Sequence, residues 1–215
     1  MNLFGKITEK PTYTKTKKDW VGNKHSTFVT LGASNHTNSK RSERDYYATD
    51  PIAAEWLIKI EPAIHNIWEN ACGECHLAKV FHKAGLLGKA TDIVDRGHIL
   101  QTDTLDFLKY NIKDYKGSIV TNPPYNRALE FVQHSLDCIA DNELVCMFLK
   151  LTFCEGQKRR ELFDSNPPVR IWVSSSRICC AMNADFKKYS SSAACYAWFI
   201  WQKGYNGNTT LKWFN

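Results

Sequence analysis

At 215 residues, 43% of them hydrophobic, the chain has enough material for one α/β domain with a full core, and no internal repeat or low-complexity tract divides it. A net charge of +6 and a sequence pI near 8.8 permit an anionic partner such as nucleic acid. No apolar run approaches the ~20 residues of a membrane span, and the polar start Met1–Lys10 does not read as a signal peptide, so a cytoplasmic protein with reduced cysteines is expected.

Residues 1–45 are polar and basic, ending in Lys40, Arg41 and Arg44. Thr27–Leu31 could form a short strand, and Gly32–Lys40 reads as a loop. Such an arm is either a solvated tail or a grip on a phosphate backbone. The folded domain is expected over 46–215. A helix begins at Pro51, with Thr49 or Asp50 as its cap, and turns Ala54, Leu57 and Ile58 inward. Asn66–Glu69 reads as a short strand that runs into Asn70–His76 and a helix to about Ala84. Lys89–Asp92 gives the next strand, and Thr104–Leu108 a short turn or helix.

Ser118–Thr121 reads as a buried strand. Pro123 and Pro124 end it abruptly, because proline lacks the N–H that a ladder needs. Arg127–Ala140 follows at helical spacing, then a strand over Glu143–Lys150 and a loop and helix over Leu151–Glu161 that carries Lys158, Arg159 and Arg160. Val169–Val173 is a strand. Arg177–Ser192 is a polar excursion with Lys187 and Lys188, and Ala193–Trp201 a long aromatic strand, with a turn at Gly204–Gly207 before the Leu211–Phe214 end. Strands alternating with helices predict a mostly parallel sheet, with the last long strand antiparallel.

Two groups of residues carry chemistry. Asn122, Pro123, Pro124 and Tyr125 stand at the carboxyl end of a strand, where open α/β sheets hold their ligands. The rigid prolines let the Asn122 amide oxygen and the Pro123 carbonyl point outward as two acceptors, a pair that suits an –NH2 group, while Tyr125 offers a face for a ring. Upstream, Glu69-x-x-x-Gly73 at a strand end is a nucleotide-type turn, and Asp92, about twenty residues beyond Gly73, is placed to bind ribose hydroxyls.

Together these motifs resemble the S-adenosylmethionine-dependent amino-methyltransferases with an Asn-Pro-Pro-Tyr motif. The wording is similar to small phage and prophage DNA adenine methyltransferases in Gly32–His36, Asp45–Pro51 and Leu151–Gly156. The resemblance implies a Rossmann-like class I fold with a seven-stranded, mostly parallel sheet holding one antiparallel strand, and S-adenosylmethionine as cofactor. It implies that Tyr47, Thr49 and Pro51 contact the cofactor's methionine end. Glu69, Ala71 and Gly73 would form the cofactor loop, Asp92 would be the ribose acid, and Asp106 with Phe107 would hold the adenine. The reaction implied is methyl transfer to an exocyclic amine, N6 of adenine in flipped-out DNA, by Asn122 to Tyr125 and without a metal. Lys40, Arg41, Lys158, Arg159, Lys187 and Lys188 are the candidate nucleic-acid contacts. Methylation of an RNA base or a protein glutamine, or cofactor or nucleic-acid binding without turnover, are the alternatives.

One departure stands out: the family loop ends Gly-x-Gly, and here it ends Gly73-Glu74-Cys75. A side chain where glycine lets a ligand come close could cost about 1–3 kcal/mol if the backbone there is strained, which bears on cofactor affinity, although cysteine is small enough to be tolerated. Cys72-x-x-Cys75-His76 also matches a haem-attachment spacing, but it lies on the expected cofactor turn, and the zinc spacing is incomplete. Cys138, Cys146 and Cys195 read as core residues.

Overall fold

The computed structural model describes residues 46–182, 184 and 194–215. The arm over 1–45 with Lys40 and Arg41, the possible strand Thr27–Leu31, and Lys187 and Lys188 lie outside the described residues. Described structure begins with the short strand β1 (Tyr47–Thr49) and helix α1 (Ile52–Ile60). Pro51 starts the helix at φ −49°, where its missing N–H has no partner to lose, and the Asp50 carboxylate accepts the Ile52 N–H at 3.0 Å. There follow β2 (Ile67–Glu69), α2 (His76–Lys83), β3 (Leu87–Asp92), β4 (Asp103–Thr104) and β5 (Ile119–Thr121). After these come α3 (Ala128–Cys138), β6 (Leu144–Lys150), α4 (Arg160–Ser165), β7 (Arg170–Ser174), β8 (Cys180–Met182), β9 (Tyr196–Gln202) and β10 (Thr210–Phe214).

The main sheet runs β10-β7-β9-β6-β5-β2-β3-β4. Only β9 is antiparallel to its neighbours, β6 and β7, and every other pairing is parallel. From β2 the chain winds outward through β3 and β4, then returns to β5 on the other side of β2. This reversal opens a crevice above the carboxyl ends of β2 and β5.

Burial follows the period of two that buried strands require. On β6 and β9, Val145, Met147, Leu149, Phe199 and Trp201 pack with Phe131, Val132 and Leu136 of α3. The alternate residues Cys146, Phe148, Trp198 and Ile200 pack with Leu57 of α1 and Leu77 and Phe81 of α2. No helix among the described residues is long and apolar enough to cross a membrane.

Three local expectations are corrected. The sheet has an eighth strand, because β10 pairs in parallel with β7 along its length. Its Leu211 and Trp213 are 49% and 62% exposed, so the run lacks the two-sided burial that marks a strand in sequence. The polar excursion contains β8, which joins β1 in a separate antiparallel ribbon and pairs Thr49 with Cys180. Around Thr104–Leu108 the expected short turn or helix is a single 3-10 turn over Phe107–Lys109, preceded by the two-residue β4. Cys195 is exposed, unlike Cys138 and Cys146, since it precedes β9 and does not lie within it.

The end of α1 is clamped to β7. Glu61, 2% exposed, accepts two bonds from the Arg170 guanidinium at 2.5 and 2.6 Å and one from Trp172 Nε1 at 2.6 Å. Removing the carboxylate strands a guanidinium and an indole N–H, although water reaches part of Arg170. Glu61→Ala is expected to lower unfolding free energy by about 2–4 kcal/mol in urea titrations; a loss below about 1 kcal/mol would mean the clamp adds little.

Candidate active site at the switch point

Beyond β2 the chain turns sharply into α2, and Gly73 makes the turn at φ +52°. A Cβ there would sit 2.3 Å from the Tyr46 ring, so both backbone and space demand glycine. The Gly73 N–H donates to Asp92 Oδ2 at 2.8 Å, and the other carboxylate oxygen accepts the Val94 N–H at 2.9 Å. Asp92, the last residue of β3, therefore ties two neighbouring turns together. Each of its oxygens keeps further acceptor capacity for a hydroxyl.

Cys75 adopts the left-handed conformation at φ +61° as the first residue before α2. For a residue with a Cβ this costs about 1–2 kcal/mol. The thiol is fully buried with Cys72, Ala78 and Ala90, and is not part of the cavity wall. The expected strain is present at Cys75, and its side chain takes no place on the cavity wall. A hydrogen bond between the two thiols is the main influence that pushes the Cys72 thiol up and pulls Cys75 down. All eight cysteines are free thiols, and among the described residues no group of His, Cys, Asp or Glu is placed to hold a metal ion.

A cavity of about 830 Å³ fills the crevice, within the range of small-molecule sites. Tyr47, Thr49, Glu69, Ala71, Asp92, Asp106, Phe107 and the whole run Asn122–Tyr125 line it. Pro51 and Gly73 do not; they shape the turns behind the wall. Glu69 is buried, and its carboxyl is pushed well above the usual range, by desolvation first and by the nearby Cys75 and Asp92 next, against one bond from the Ala78 N–H. Its Oε2 and the Asn70 Oδ1 on the same wall are buried without a hydrogen-bond partner. Asp106 pairs with Lys109 at 3.2 Å. Phe107 is only 2% exposed and packs edge-on against Trp68 at 5.2 Å, so it is first of all a core ring.

The other end of the cavity belongs to Asn122. Its Nδ2 donates to Thr49 Oγ1 at 2.7 Å and to the Tyr47 carbonyl at 3.4 Å. Its Oδ1 is buried and has no partner. The Pro124 carbonyl accepts the Arg127 N–H at 2.9 Å and starts the turn into α3. Tyr125 stacks on Tyr47 with ring centroids 5.3 Å apart, shares a hydroxyl–hydroxyl bond of 2.9 Å with Tyr196, and has Lys150 Nζ 4.7 Å from its ring. Burial holds its phenol neutral, well above the ordinary range.

The basic candidates separate. Lys158 is exposed. Arg159 is committed to its own turn: it donates from Nε to the Glu155 carbonyl at 2.8 Å and lies over Phe153 at 4.8 Å. Sequence reasoning missed Tyr196 and Cys180, whose side chains meet Tyr125 and Asn122. Neither stands in a motif. Tyr46, against the glycine turn, lies within the marked segment Asp45–Pro51 and could have been found there.

No family model matches the sequence, and no curated protein matches it. Solved structures do. A candidate class I S-adenosylmethionine-dependent methyltransferase from Listeria monocytogenes superposes with a TM-score of 0.51 at 12% identity, over 88% of this chain and 70% of that one. The methyltransferase subunit of a type I restriction-modification system from Streptococcus thermophilus gives 0.53 at 10% identity, over 77% of this chain and 46% of that one. The M protein of the type I restriction enzyme EcoKI gives 0.50 at 14%, over 78% and 47%. This chain therefore spans a little under half the length of the two restriction-modification proteins. The fold is the Rossmann-like class I methyltransferase fold, a mostly parallel sheet with one antiparallel strand.

Glu69 makes the ligand-free stability depend on pH. Its folded pKa lies above the unfolded value, so its contribution is complete below the ordinary carboxylate range and is lost as pH rises through the folded pKa. Glu69→Gln removes that loss. Urea midpoints of wild type and variant should converge below about pH 4 and separate as pH rises, with the variant the more stable; parallel curves would mean that Glu69 titrates normally.

Proposed function

We propose that this protein transfers a methyl group from S-adenosylmethionine to an exocyclic amine, N6 of adenine in DNA. The observation that carries the reading is the Asn122 amide: a buried oxygen without a partner, at the end of β5, on the wall of a nucleotide-sized cavity. A buried acceptor left unpaired costs about 1–3 kcal/mol, which is explicable where a substrate supplies the missing donor.

The residues present fit the cofactor. A wall with unpartnered oxygens on Glu69 and Asn70 suits a ligand bearing an ammonium and a sulfonium. Glu69, Ala71 and the Gly73 turn would hold its amino-acid part together with Tyr47, Asp92 its ribose, and Asp106 with Phe107 its adenine. When bound, S-adenosylmethionine supplies an electrophilic methyl group. The protein's own part is positioning. Asn122 Oδ1 and the Pro123 carbonyl accept the two hydrogens of the target amine, aim its lone pair at the cofactor side, and offset the positive charge that develops on nitrogen. The surplus proton on the methylated nitrogen leaves to water, and no covalent intermediate or metal is required.

Support for nucleic acid as substrate comes from the net charge of +6, the basic arm, and exposed Lys158 beyond β6. Likeness to restriction-modification methyltransferase subunits points the same way. The target base would leave the duplex and enter beside Tyr125. The ring's present partner, Tyr47, would give way or flank the base.

Asn122→Ala tests the reading. Loss of a positioning acceptor is expected to lower kcat on adenine-containing DNA by about 10²-fold or more while cofactor affinity, measured by calorimetry, stays near wild type. Full activity in this variant would remove the proposal.

A further inference from the structure

We infer that Thr49 is the positioning residue that decides which end of the Asn122 amide meets the reacting amine; the inference rests on the methyltransferase reading above. The two ends of an asparagine amide are nearly equal in size, and the terminal torsion is broad and close to two-fold. The prolines after Asn122 fix its backbone but not that torsion. Turned by 180°, the side chain would set its own N–H groups against those of the target amine, and the site would repel its substrate.

The lock lies in the β1–β8 ribbon, outside the motif. Thr49 Oγ1 accepts from Asn122 Nδ2 at 2.7 Å, and the Tyr47 carbonyl accepts from the same nitrogen at 3.4 Å. A carbonyl never donates, so the turned amide would set two oxygens against each other there. Cys180 Sγ lies 3.9 Å from the same nitrogen, and Thr49 is paired with Cys180 across the ribbon. Both Asn122 hydrogens are thereby drawn toward the ribbon, and Oδ1 is left facing the other way without a partner. A hydroxyl can serve either end of an amide, so the acceptor-only Tyr47 carbonyl sets the direction; the Thr49 hydroxyl, buried, at the short end of this set and turning its own hydrogen to Cys180, is left to accept from Asn122 Nδ2 and is the main anchor that holds that direction. This differs from the role that the sequence resemblance implies for it, contact with the cofactor's methionine end.

An aspartate meets the Tyr47 carbonyl with an oxygen either way round but also presents an acceptor to the amine either way round, so orientation no longer decides its function, which gives the inference a specific test. Thr49→Val is expected to lower kcat at least about 10-fold with the Kd for S-adenosylmethionine changed by less than about threefold, and Thr49→Ser to restore kcat. In the Asn122→Asp background, Thr49→Val should change kcat by less than about threefold. Thr49→Ala carries the same comparison if melting curves find the valine variant unfolded. A raised Kd with kcat kept would make Thr49 a cofactor ligand and overturn the inference, as would an equal fall in kcat in the aspartate background. A second readout is independent of turnover: hydrogen exchange of the Asn122 side-chain 15N amide, assigned by its disappearance in Asn122→Asp. It should be slow in wild type and Thr49→Ser and fast in Thr49→Val; equal rates would overturn the lock itself. If the wild type methylates nothing while the exchange pattern holds, the methyltransferase reading fails and the lock stands.

Discussion

Everything about the site depends on the place of β2, three buried residues between β3 and β5. Trp68 at its centre is fully buried and donates from Nε1 to Thr91 of β3 at 2.9 Å. Its ring also meets Phe107, Tyr110 and Tyr115 edge-on, and carries Lys89 Nζ at 3.6 Å from its centroid. One side chain thus joins β2 to β3 and to the turn that holds Asp106 and Phe107. With Trp68 fixed, Glu69 must emerge at the crevice, opposite Asn122 at the end of β5. A reversal of strand order becomes a cavity because this short strand cannot shift.

Unmet polar atoms gather at and beside the cavity. Glu69 Oε2, Asn70 Oδ1, Thr121 Oγ1 and Asn122 Oδ1 are all buried without partners, and all stand at the ends of β2 and β5. Among the described residues, the one further unpartnered side-chain atom is Arg96 Nε, also from a residue of the cavity wall. Unpaired polar atoms in a core are rare and destabilising, so their concentration at one point is informative. Three of them, on Glu69, Asn70 and Asn122, line the cavity and can each accept a hydrogen bond, which suits a ligand that brings donors. The pairing of Gly73 with Asp92, by contrast, leaves no loose end: it is the rigid frame on which the unmet groups are displayed.

Much of this was legible in the sequence, for physical reasons that differ by element. The Asn122–Tyr125 run and the Glu69–Gly73 turn were readable because glycine and proline impose backbone geometry without help from the rest of the chain. The strands β6 and β9 were readable because both of their faces are buried. What escaped depends on distant pairing. β8 is three residues long and exists only against β1. β10 exposes Leu211 and Trp213, so it lacks an inward pattern. Cys75 was legible as a point of strain but not in its packing, because sequence gives the residue and not the direction of its thiol, which enters the packing of α2. Thr49, 73 residues before Asn122, carried no sign of the amide that it holds.

The central claim is that this cavity serves methyl transfer to adenine N6 in DNA. The most direct measurement is incubation with S-adenosylmethionine bearing a deuterated methyl group, with DNA, RNA and protein pools in separate reactions, followed by mass spectrometry of nucleosides and amino acids. The account predicts labelled N6-methyladenine from DNA. Label confined to RNA or to glutamine would contradict the substrate, and no label in any pool would contradict the enzyme.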